Sequence, residues 1–126
     1  TAFTRFASYS NAGQDLVYVA GPGGDFAYPG NELCLFDGTV FPCWVFDMVP
    51  APCGGYAGTS TCWAAGTSMA SPAVAGVAAL IKGANPSISL GQLKTSLKRS
   101  ATDEGKRGKD AQYGHGFVNA YNACVQ

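Results

Sequence analysis

Histidine is nearly absent from this chain: of 126 residues only His115 is one, and it lies close to the C-terminal end. Any chemistry that needs an imidazole elsewhere must take it from outside these residues. Net charge is absent too, since eight basic residues balance eight acidic ones. That excludes the electrostatic footprint of a nucleic-acid binder or of a protein held on an anionic membrane. Long apolar runs are also missing. The longest, Met69 to Ile81, has thirteen residues, is broken by Ser71 and Pro72, and is too short to cross a bilayer. Neither a membrane nor a nucleic acid is therefore expected as a partner. The chain opens at Thr1 with no methionine and no leader, which reads as a processed or cut product. Its length suits one modest domain.

Cysteine is plentiful by contrast. Cys34, Cys43, Cys53 and Cys62 are spaced by nine, ten and nine residues, whereas metal knuckles pair cysteines two to four residues apart with a histidine nearby. No zinc site is expected. Disulfides formed in an oxidising compartment are the better reading, and they point to a secreted, extracellular protein. The pairing does not follow from the spacing. One of the five is left over if all bonds are internal, and Cys124, near the C-terminal end, is the candidate for a free thiol or a bond to another chain.

Four parts follow one another along the sequence. Asp15 to Ala20 (DLVYVA) is an apolar run rich in β-branched and aromatic residues, expected as a buried strand that ends in the turn GPGGD. From Gly21 to Thr61 the chain is dense in Gly, Pro and Cys without a sustained period. It is expected to be a long disulfide-pinned excursion, with a hairpin in LCLFDGTVFPCWVF turning at Asp37-Gly38. Its aromatic residues Phe36, Phe41, Trp44 and Phe46 read first as a local mini-core that shields the disulfides, and second as a wall that holds a partner. Two helices come third. One runs from about Thr67 to Lys82 and stops at Gly83; the other opens at Ser89 with a capping box to Gln92 and places Leu90, Leu93, Leu97 and Ala101 on one face. After a solvated charged loop, Asp103 to Asp110, the segment YGHGFVNAYNAC turns through Gly114 and Gly116 and then has helical character.

Ser68 is the residue that raises a chemical question. A helix starting at Thr67 puts its side chain and backbone N–H at the positive end of the macrodipole, where unpaired donors point outward and an oxyanion is favoured. Gly66 has no Cβ to obstruct a substrate backbone. The following residues are nearly all small or apolar, so the helix is expected to be buried all round. Pro72, four residues on, cannot donate to the Ser68 carbonyl and should distort the first turn. On these grounds alone Ser68 stands equally as a nucleophile and as the polar cap of a core helix.

The stretch GTSMASPAVAG, Gly66 to Gly76, resembles the nucleophile-serine signature of the subtilase family of serine endopeptidases. ASYSNAG followed by LVYVAGPG resembles that family's strand before the active-site region, and YGHGFVNAYNA resembles the segment that closes its catalytic domain. The resemblance implies an α/β, subtilisin-like three-layer fold with a mostly parallel sheet. Residues 1–126 would be its C-terminal portion, interrupted by a cysteine-rich insertion at about 24–62. An α/β-hydrolase elbow does not fit, because Ala70 stands where its second glycine belongs.

The resemblance further implies that Ser68 attacks a scissile carbonyl, that a histidine takes its proton and that an aspartate orients the histidine. The Ser68 N–H would give half of the oxyanion hole, flanked by Gly66 and Thr67, and Met69 would lie near the leaving group and make the enzyme sensitive to oxidation. Both triad partners precede the serine in this family, yet no histidine precedes Ser68, and His115 lies at a variable position of the closing segment. Asp15, Asp25, Asp37 and Asp47 sit in no motif like that of the catalytic aspartate. A partner, the N-terminal chain of the same protease, is therefore expected to supply His, Asp and the oxyanion Asn. It would also bury the helix from Thr67, with protein or peptide substrates cut by the pair. The alternatives are a non-catalytic binding module that uses the aromatic loop, and a fragment left by autolysis. The chemistry calls for no cofactor. In this family many members place a cation-binding aspartate where Val17 stands, so structural calcium is possible but not indicated, with Asp15 close by and the insertion loop as the other place for a site. Ala73 replaces a histidine that takes no part in the triad.

Overall fold

In the cysteine-rich stretch, β1 (Leu33–Phe36) and β2 (Thr39–Pro42) pair antiparallel around Asp37-Gly38. Both turn residues have positive φ, +48° and +73°, the conformation of the tight primed turns that match strand twist. A computed structural model describes residues 5–27, 31–55 and 58–125. A 3-10 segment, Cys43–Asp47, follows β2, and the Cys34–Cys43 disulfide ties its first residue back to β1. A second hairpin comes next, with β3 (Val49–Gly55) antiparallel to β4 (Gly58–Ala64) and the Cys53–Cys62 disulfide joining its strands. Sequence reading missed this second hairpin. Pro50 and Pro52 have no N–H for a ladder, but in a two-stranded sheet each strand has a free edge, where such a residue is tolerated.

The chain divides into two compact units. Residues 1–10 and 22–69 form the first, which contains both hairpins; residues 11–21 and 70–126 form the second. In the second unit α1 (Thr67–Ala84) contributes Val77 and Ile81 to a core completed by Leu97 of α2 (Leu90–Ser100), Val118, and Ala123 of α3 (Ala120–Cys124). The capping box is present: the Ser89 hydroxyl accepts from Gln92 N–H while the Gln92 side chain accepts from Ser89 N–H. Leu97 is buried and Leu93 packs against the core, but Leu90, in the first turn of α2, is exposed.

Three expectations change. α1 is not buried all round, because one face packs on the core while Ala75, Gly76, Ala79 and Leu80 stay exposed. It runs on through Pro72 without interruption, so the expected distortion does not break it. The run Asp15–Ala20 forms no full strand. It makes bridges at Val19 with Gly114 and at Ala20 with Phe117, the latter parallel. A parallel sheet needs neighbouring strands brought in by crossovers, and among the described residues there are only the two antiparallel hairpins and isolated bridges. The three-layer, mostly parallel arrangement is thus not formed by these elements alone. Gly114, at φ +64°, is required where it stands, since a Cβ there would run into the Tyr18 carbonyl.

The charged loop ties itself down. Asp103 accepts from Gly108 N–H at 2.9 Å, and Asp110 accepts from the N–H groups of Lys106, Gln112 and Tyr113 at 2.8–2.9 Å. Cys124 is a free, exposed thiol. Among the described residues no helix is long and apolar enough to cross a membrane.

Candidate active site

Ser68 is the second residue of α1, and both it and Thr67 are exposed. An N-cap residue precedes the helix, and that place belongs to Gly66; Ser68 therefore does not hold the capping position. The Gly66 carbonyl accepts from Met69 N–H at 3.0 Å. The N–H of Ser68 lies in the first turn, where the helix offers no acceptor, so it is free to face a developing negative charge. A Cβ at Gly66 would meet nothing nearer than the Met69 Sδ at 3.7 Å, so the strip beside Gly66 is open. Met69 is half-buried.

What fixes the start of the helix is a loop forty residues earlier. Gly66 N–H donates to the Gly23 carbonyl at 2.8 Å. The Tyr9 hydroxyl lies against the same carbonyl, at 3.1 Å, and against that of Gly24, where its proton makes the shorter bond. Tyr9 in turn stacks on Phe26, with ring centroids 5.8 Å apart. Gly24 has φ +72°, and a Cβ there would lie 2.7 Å from the Asp47 carbonyl oxygen, so only glycine lets the loop pack this closely.

Asp25 anchors the same loop. Only 4% exposed, it accepts from Ser8 N–H at 2.6 Å, from the Ser8 hydroxyl at 3.0 Å and from Ala27 N–H at 2.7 Å. Burial alone would raise its pKa, but these donors outweigh it and hold the carboxyl below its ordinary value. Asp47 moves the opposite way. Burial and then the charge of Asp25 raise it, with Arg5 opposing. Burial followed by the Asp25 charge likewise raises the Tyr9 phenol, which keeps it a proton donor to the glycine carbonyls.

Of the residues singled out in the sequence, Gly66, Thr67, Ser68 and Met69 come together at the end of the first unit. His115 belongs to the second unit. There its N–H donates to Tyr18 O at 2.8 Å and its ring packs edge-on against Tyr18 at 5.2 Å. Burial, then the charges of Lys98 and Lys109, lower its pKa. Tyr9 and Asp25 are the supports that sequence reasoning missed. Their partners lie 14 to 17 residues away along the chain, and no local pattern signals such pairings. Among the described residues no group of three or more His, Cys, Asp or Glu is placed to hold a metal ion.

Chemically, the arrangement presents a hydroxyl and a free N–H at the positive end of a helix. The first unit contains no histidine to serve as its base. A serine hydroxyl without a base is a weak nucleophile.

Comparison with known proteins converges on one family. The model described as "Subtilase family" matches residues 3–116. Alkaline elastase YaB of Bacillus sp. (strain YaB) is 54% identical over 55 residues, which cover 44% of this chain and 14% of that protein. Subtilisin BL of Lederbergia lenta is 48% identical over 65 residues, covering 52% of this chain and 23% of the relative. Among solved structures, a lanthipeptide protease superposes with a TM-score of 0.62 at 31% identity, over 91% of this chain and 37% of the other. The matches thus span less than a quarter of these two relatives' length.

Proposed function

The chain belongs to the subtilase family and has a subtilisin-like fold, and from that premise we propose that it is the nucleophile-bearing portion of a serine endopeptidase. The observation that carries this reading is the exposed Ser68 within GTSMASP at the start of α1, held there by the Gly23–Gly66 bond. Ser68 Oγ adds to the scissile carbonyl of a protein or peptide. A histidine from the remainder of the catalytic domain takes the hydroxyl proton and then passes it to the leaving amine, and an aspartate orients that histidine. Charge on the tetrahedral oxygen falls on the Ser68 N–H and on an asparagine of the same remainder. One such donor accounts for about 10²–10³ in rate.

The exposed strip of α1, Gly76, Ala79 and Leu80, supports an association of this kind, because it is an apolar helix face with no cover among the described residues. Once covered by the remainder, the elements would complete the three-layer domain. The two disulfides favour action outside the cell.

The test is intact mass under native and non-reducing denaturing conditions, before and after a fluorophosphonate. The expected result is a companion polypeptide that co-migrates and probe mass that lands on this chain at Ser68, lost in Ser68→Ala. A folded chain that is alone and unlabelled would refute the reading. A binding role for the insertion would then lead, and the exposed hairpin β1–β2 is the observation in its favour.

A further inference from the structure

The insertion has a face that its own packing leaves unused. Opposed residues of an antiparallel ladder share a face, so Cys34 and Phe41 lie on one side of β1–β2, with Leu33, Pro42, Leu35 and Val40 on the other. The first side is occupied locally by the Cys34–Cys43 disulfide and by Phe46, whose ring lies 5.7 Å from Phe36 and 6.3 Å from Phe41. On the second side Leu33, Leu35 and Val40 are 70%, 73% and 58% exposed. A hairpin fixed by a tight turn and a disulfide thus holds an aliphatic strip out to solvent.

Charge selects what fits the strip. Glu32 stands at its open end and Asp37 at its turn, both exposed, roughly 17 Å apart along an extended strand. No lysine, arginine or histidine occurs between Arg5 and Lys82. The first unit therefore carries four carboxylates, Asp25, Glu32, Asp37 and Asp47, against the single cation Arg5. The same hairpin of a second copy would bring carboxylates against carboxylates, and an anionic lipid surface would be repelled. An extended polypeptide with about four apolar residues between cations is complementary in both respects. The free edges of the two-stranded sheet also offer it backbone pairing.

We propose that the Leu33–Leu35–Val40 face is a docking surface for extended polypeptide segments in which a short apolar stretch lies between lysines or arginines. That the docked segment is a substrate of Ser68 rests on the function proposed above; the docking itself does not.

The experiment measures fluorescence anisotropy of a labelled Lys-Lys-Val-Leu-Val-Leu-Lys-Lys peptide on the Ser68→Ala protein, in which cleavage cannot consume the probe. Binding is expected to weaken at least tenfold when the lysines become glutamates or the aliphatic residues become serines. It should also weaken several-fold when salt rises from about 0.05 to 0.5 M. Glu32→Gln with Asp37→Asn, both at exposed positions that spare the fold, should cost about tenfold and remove most of the salt dependence. Leu35→Ser with Val40→Thr should abolish binding. Equal binding of the glutamate peptide, binding unchanged in the Gln/Asn variant, or self-association of the protein in place of peptide binding would each overturn the proposal. Fluorophosphonate labelling of the unmutated protein is read in parallel. Labelling without peptide binding removes the docking surface alone, whereas binding without labelling removes the protease reading and leaves the docking surface intact.

Discussion

Asp25→Asn is the most informative single change in the loop beneath Ser68. The carboxylate takes three hydrogen bonds, with Oδ1 serving the Ser8 hydroxyl and Ala27 N–H and Oδ2 serving Ser8 N–H. Asparagine can keep the first two on its carbonyl oxygen, but it then turns an NH2 toward Ser8 N–H, donor against donor. A donor left unsatisfied costs about 1–3 kcal/mol when buried, so the part-buried Ser8 N–H falls at the lower end of that range, while the two surviving bonds lose their charge assistance. Against this, removing the Asp25 charge relieves Asp47, whose ionisation it opposes. The net expected loss is about 2–3 kcal/mol at neutral pH, on the order of a hundredfold in the folding equilibrium.

The pH dependence has a definite sign. The folded pKa of Asp25 is lowered, so its stabilisation is complete above the unfolded carboxylate value of about 3.9 and disappears as pH falls through the lower folded value. The gap between the native protein and the Asn variant should therefore be widest at pH 6–7 and close below about pH 4. Urea unfolding followed through Trp44 and Trp63, both in the first unit, measures it. A loss under about 0.5 kcal/mol at pH 7, or a gap that grows on acidification, would refute the account of Asp25 as a charged anchor.

Tyr9→Phe removes the hydroxyl that bridges the Gly23 and Gly24 carbonyls, and at about 1 kcal/mol for such a bond it should slow fluorophosphonate labelling of Ser68 by three- to tenfold. An unchanged second-order labelling rate would show that the loop holds without it. Replacing Cys53 and Cys62 by serine opens a loop with a separation of 9 residues, and chain entropy predicts a loss of about 2.5 kcal/mol, read as a lower urea midpoint. Met69→Leu should keep its labelling rate after hydrogen peroxide treatment that slows the native protein, with peptide mapping for the sulfoxide as the check.

Local chemistry was legible in the sequence, and pairing across the chain was not. The Ser89–Gln92 box and the Asp37-Gly38 turn are each settled within a few residues, and both formed where expected. The hairpin β3–β4 escaped because its strands carry Pro50, Pro52, Gly54 and Gly55, residues that weigh against a strand unless a cross-link and a free edge compensate. The disulfide partners themselves did not follow from the spacing. Asp15–Ala20 has the composition of a buried strand, but a strand needs neighbours, and its residues find only bridges to Gly114 and Phe117. At the candidate site, GTSMASP singles out Ser68 within the sequence itself. Tyr9 and Asp25, which hold its loop, became visible only when the backbone carbonyls they serve were located.

The two disulfides are nested within their own hairpins and not interleaved: Cys34 joins Cys43 and Cys53 joins Cys62, each across 9 residues. A proteolytic nick anywhere between the members of either pair would leave both new ends attached to the same molecule. In surroundings rich in endopeptidases, the exposed tip of the first hairpin could be severed without the protein shedding a fragment. The same wiring confines the damage elsewhere, because only a cut in the short span between Cys43 and Cys53, or outside the pairs altogether, would part the chain.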